Sequence, residues 1–157
     1  MNTARSASLR PVHPDIERAL QEGLDEAMIR RVVDRFYALA REDDVIGPVF
    51  RHTVPDERWQ AHLDTIVDFW SSMLLGTGRY RVRPMPKHLA LRDPTDAHFR
   101  RWLTLFRLTV NELCPSEIAA LFIERSERVG NSFRLNIKMR RGESLVHLKP
   151  LEREDLT

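Results

Sequence analysis

At 157 residues the chain has the length of one domain, long enough to bury a single core. A composition of 42% hydrophobic and 31% charged residues is that of an ordinary soluble globular protein. With 25 basic against 23 acidic residues the charge is nearly balanced, which gives no reason to expect nucleic acid or a membrane surface as a partner.

Residues 1–14 are polar, hold two prolines and show no period, and the stretch 1–24 is expected to be a flexible arm. It has no apolar core segment, and no run further on reaches membrane-spanning length. Neither secretion nor insertion is expected, and the protein is assigned to the cytoplasm. A helical period begins near Asp25, with Ile29, Val32, Val33, Phe36, Tyr37 and Ala40 on one face. Gly47 and Pro48 break that helix. A second starts at Pro55 or Asp56, turns Trp59, Leu63, Ile66, Val67, Trp70 and Leu74 inward, and ends near Gly76.

The string "GTGRYRVRPMP" then interrupts the helices, and "PKHLAL" after it is long enough for one or two turns. Asp93 as N-cap and Pro94 at the first position should open a third long helix. Its inner face is Phe99, Trp102, Leu103, Phe106, Val110 and Leu113. Pro115, Ser116 and Glu117 open the fourth, with Ile118, Leu121, Phe122, Val129, Phe133 and Ile137 inward. Beyond Arg140 the chain is charged and aperiodic, so residues 141–157 are expected to be a second tail. No repeat and no strand alternation is present. The expectation is an all-α protein with one domain over residues 25–140.

The lone cysteine, Cys114, excludes an internal disulfide and fits a reducing compartment. Beside Pro115 and without a neighbouring histidine, it reads as a small hydrophobe and not a nucleophile. Six histidines are scattered along the chain, none paired at the i, i+4 spacing of a helical zinc site, and no CxxC or phosphate loop exists. Tyr37, His62 and Trp102 come from three different helices, each on its helix's apolar face. Buried hydroxyl and indole groups need partners. These three can satisfy one another in a core or converge on a polar ligand in an apolar pocket. An all-α chain with aromatic faces and an isolated histidine opposite also suits a haem.

The strings "RFYALAREDDVIGPVF", "WQAHLDTIVDFWSSMLLGTGRYRVRPMPKHLAL" and "HFRRWLTLF" resemble the truncated haemoglobins, specifically group III. The resemblance runs from about Asp25 to Arg140. It implies a two-over-two α-helical sandwich holding haem b, iron protoporphyrin IX. By this resemblance His88 is the proximal ligand of the iron, and the preceding loop replaces most of a helix in order to present it. Tyr37, His62 and Trp102 match the distal ligand-binding residues. Phe36, Ile66, Trp70, Met73 and Phe99 fall beside the ring, and Arg79, Tyr80 and Lys87 fall where propionates sit. The extensions at either end depart from the family pattern.

The resemblance implies oxygen, carbon monoxide, nitric oxide or peroxide as partners, with a reductase that the sequence does not name and a monomer as the default state. Two donors at the distal side would slow oxygen release, which suits nitric oxide or peroxide detoxification better than transport. Nitric oxide dioxygenase activity is one form of this expectation. A peroxidase-like redox enzyme and a haem-free helical interaction module are the alternatives.

Overall fold

The computed structural model describes residues 13–80 and 94–154. Among these, regular structure is entirely helical: α1 (Pro14–Gln21), α2 (Glu26–Glu42), α3 (Gly47–Thr53), α4 (Asp56–Leu75), α5 (Asp96–Leu113) and α6 (Ser116–Arg140). No helix among them is long and apolar enough to cross a membrane.

The Asp25 carboxylate starts α2 by accepting the Met28 N–H at 2.8 Å, which satisfies an otherwise orphaned donor of the first turn. From there Ile29, Val32, Val33, Phe36, Tyr37 and Ala40 are all buried, the face that the apolar spacing predicts. Asp43 turns the chain out of α2, its carboxylate accepting from the N–H groups of Val45 and Ile46. Here the backbone doubles back so closely that a Cβ on Gly47 would lie 2.6 Å from the Arg41 carbonyl oxygen. Only glycine fits there. Helix α4 stops at Gly76, whose φ of 67° is the left-handed conformation of a helix C-cap.

Helices α2 and α4 pack together, α5 packs against both α6 and α2, and α1 lies on α6. The result is the two-over-two α-helical sandwich, with α2 and α4 over α5 and α6. Between the layers Phe106 stacks with Trp70 at 5.3 Å and with Trp102 at 5.5 Å, both within 10° of parallel. Phe36, Phe106 and Phe122 are fully buried there. Burying aromatic side chains of this size dominates the energetics of such a core.

Three local expectations need correction. The expected N-terminal arm contains α1, with Ala19 and Leu24 fully buried or nearly so. Its apolar pattern is too short to show a period, but Pro14 at the first turn and the acidic Asp15 and Glu17 after it are helix-start signals. The C-terminal tail is not loose either. Arg107 donates to the Glu154 carbonyl at 3.0 Å, Arg101 pairs with the Glu154 carboxylate at 3.2 Å, and Arg153 reaches Glu127 on α6. Ion pairs have no sequence period, so such docking leaves no pattern. Finally, α5 is capped by Thr95; Asp93, the expected cap, lies outside the described residues. The Thr95 hydroxyl accepts the His98 N–H, and His98 Nδ1 accepts the Thr95 N–H at 3.0 Å, a capping box closed by histidine.

Candidate functional site

A cleft with about 1060 Å³ of atom-free space, part of it open to solvent, lies between the two layers. Helix α4 supplies His62, Thr65, Ile66, Phe69 and Trp70 to its wall. Tyr37 of α2, Phe50 of α3, and Phe99 and Trp102 of α5 also line it. Val129, Gly130, Phe133 and Ile137 of α6 recur at helical spacing and form the remaining side. Aromatic and aliphatic walls with a few polar tips are the usual build of a cofactor or small-ligand site.

The polar tips are those the sequence groups together. Tyr37 and His62 meet edge to face with ring centroids 5.9 Å apart, and both are nearly buried, at 7% and 6% exposure. Burial pushes the Tyr37 phenol well above its ordinary value, because an anion there would lose its hydration. The Trp102 indole N–H works in the opposite direction by hydrogen bonding to the same group. At neutral pH the cleft therefore holds a neutral phenol that is able to donate, with the indole N–H directed at its oxygen.

Other candidate residues divide by position. Ile66, Trp70, Tyr80 and Phe99 line the cleft. Phe36 stands behind the wall, edge-on to Tyr37 at 4.8 Å and to Trp102 at 5.3 Å, so it supports the polar pair without touching the space. Met73 is likewise packed against the core and not in the lining. Arg79 does not line the cleft: it pairs with Glu26 of α2 and Asp68 of α4 and donates to the buried Ser71 hydroxyl at 2.9 Å. With Ser72 accepting the Tyr80 N–H at 2.8 Å, these bonds fix the chain leaving α4 and set Tyr80 edge-on to Phe69 at 5.3 Å. Lys87 and His88 lie outside the described residues.

Several lining residues were not singled out from sequence. Phe50 sits in a short helix without a period. Phe69 lies three residues after Ile66, an i+3 relation that would have found it. His98 lines the cleft while its Nδ1 accepts from the Thr95 backbone, which leaves the ring's proton on Nε2 when the ring is neutral. Cys114 is half-buried, and burial pushes its thiol up to about 11, against the pull of Arg31; it stays a protonated thiol.

No family model matches the chain. Among curated proteins it is 32% identical over 114 residues to a group 3 truncated hemoglobin of Campylobacter jejuni, across 71% of this chain and 90% of that protein. Among solved structures it is similar to the crystal structure of the group III truncated hemoglobin from Campylobacter jejuni. The TM-score is 0.66 at 31% identity, over 73% of this chain and 92% of the other.

Proposed function

The chain belongs to the group III truncated haemoglobins, and from that premise we propose that the cleft between its helix layers is a pocket for haem b. The observation that carries this reading is the cleft itself. It is walled mainly by aromatic and aliphatic side chains, and Tyr37, His62 and Trp102 from three helices bring polar tips to the same lining. His88 is the proposed proximal ligand on the strength of the sequence resemblance. A bound haem supplies reversible binding of oxygen, carbon monoxide and nitric oxide.

The chain's own residues decide what becomes of such a ligand. Tyr37, whose phenol oxygen accepts the Trp102 indole N–H, donates its hydroxyl proton toward the polar end of a small ligand in a largely apolar cleft. Each such bond to a partly charged acceptor contributes about 1.5–3 kcal/mol. The bond from Tyr37, reinforced by the indole N–H on the phenol oxygen, slows oxygen release beyond what a carrier requires. We therefore place the protein with globins that act on nitric oxide or peroxide, ahead of those that deliver oxygen. Phe36 keeps Tyr37 and Trp102 in register, and Trp70 and Phe106 stack to keep the wall rigid.

The test is the absorption spectrum of the purified protein, oxidised, reduced and then exposed to carbon monoxide, beside that of His88→Ala. The expected result is a haem band that shifts with carbon monoxide and is weakened or altered in the variant. A protein that stays colourless after reconstitution would overturn the reading.

A further inference from the structure

Trp59 lies one turn before His62 on α4, yet it does not line the cleft. Its ring is laid against the imidazole instead, with centroids 5.8 Å apart and planes only 32° from parallel. Phe50 and Tyr37 meet the same indole edge-on, at 6.5 and 6.2 Å. The guanidinium carbon of Arg41 stands over the same ring, 4.6 Å from the indole centroid, within the range of a cation–π contact. Arg41 is itself fixed at both ends. Its side chain pairs with Asp56 in the first turn of α4, and its carbonyl accepts from the Arg51 guanidinium at 3.0 Å. The last turn of α2 is thereby tied to the first turn of α4, with Trp59 in contact with both the guanidinium and His62.

We infer that Trp59, clamped by Arg41, is the positioning residue that holds the His62 imidazole in the wall of the cleft and so sets how readily a small ligand enters. Outward rotation of His62 is opposed by the indole beside it, and the guanidinium over the ring holds that indole in place. Loss of the cation frees Trp59 to change rotamer, and the fraction of molecules with His62 turned out of the wall rises accordingly. The entry half of this inference rests on the haem reading above; the positioning half does not.

Arg41→Met keeps the length and apolar stem of the side chain and removes its charge; Arg41→Lys keeps the cation. Two readouts separate the claims. The first is the NMR signal of the His62 ring protons, which the adjacent indole current displaces from the free-histidine position whether or not haem is present. It should move toward the free position in Arg41→Met and in Trp59→Leu, and return most of the way in Arg41→Lys. Asp56→Asn, which breaks the ion pair and leaves the cation over the ring, should move it less. The second is carbon monoxide association after flash photolysis of the haem-loaded protein, which should quicken about threefold to tenfold in Arg41→Met, the scale of one cation–π contact. A His62 signal unmoved in folded Arg41→Met and Trp59→Leu would overturn the inference. A signal that moves while association stays constant would overturn its entry half. A protein that takes up no haem would defeat the haem reading and the entry half, and the ring-proton signal would still decide the positioning.

Discussion

Burial raises the Tyr37 phenol above its ordinary value of 10.0, and the Trp102 N–H, which would stabilise a phenolate, only partly offsets this. The phenol therefore remains a donor through the whole physiological range, and its role is testable by removing one oxygen atom. Tyr37→Phe should accelerate oxygen dissociation about tenfold to a hundredfold, the kinetic equivalent of one charge-assisted hydrogen bond. Stopped-flow release into a carbon monoxide solution measures it, and an unchanged rate would refute the donor role. The same residue makes stability depend on pH. Its folded value is raised, so the folded protein binds more protons than the unfolded chain once pH passes 10.0. The contribution is complete below that value and falls away as pH climbs toward the folded one. Denaturant titrations at rising alkaline pH should show the native protein losing stability faster than Tyr37→Phe. Tyr37, His62 and Trp102 were legible in the sequence because a polar tip on an apolar helical face is uncommon. The Arg41 clamp was not, since a guanidinium over an indole eighteen positions along the chain obeys no period.

Among the elements, α2, α4, α5 and α6 were legible because each repeats its apolar residues every three or four positions over at least four turns. The starts were harder. At α5 a threonine and a histidine form the cap where an aspartate and a proline looked suitable, because Thr95 and His98 satisfy each other's backbone donors. The same helix start carries a second constraint from α6. Arg134, 5% exposed, forks onto Asp96 with bonds of 2.8 and 3.0 Å, and Lys138 stands 3.6 Å from the same carboxylate. This pairing holds the Asp96 carboxyl below its ordinary value of 3.8. Asp96→Asn leaves the buried guanidinium facing a neutral amide, with an expected loss of about 1–3 kcal/mol near neutral pH. Since the folded value is depressed, the stabilisation exists above 3.8 and is lost as pH falls through the folded value. Denaturation midpoints of native protein and Asp96→Asn should therefore converge in acid. A gap that persists at low pH would mean that the variant disrupts packing and not the ion pair.

At the scale of the molecule, the similarity to the Campylobacter jejuni protein covers 71% of the chain, and α1 and the C-terminal segment extend a globin body that the four long helices already complete. The C-terminal segment crosses α5 and α6 as a strap. Leu145, Leu148 and Leu151 are half-buried along it, and Arg101, Arg107 and Glu127 receive its end. Arg101 also faces Asp43, 3.6 Å away at the turn between α2 and α3, and that carboxylate is only 11% exposed. The Arg101–Asp43 pair does not involve the strap, so the α5 contact that steadies the neighbourhood of Trp102 should survive without it. Exposed pairs such as Arg153–Glu127 contribute about 0.2–1 kcal/mol each. Three half-covered leucines add burial of similar order, giving about 1–3 kcal/mol for the strap as a whole. Deleting residues 145–157 should lower Tm by roughly 3–8 °C in circular dichroism melts. Helical content, the haem spectrum and the carbon monoxide association rate should stay as they were. A truncated protein that melts at the native temperature would show the strap to be energetically idle. A shifted carbon monoxide rate would show that it reaches the pocket, through Arg101 and the turn that presents Phe50.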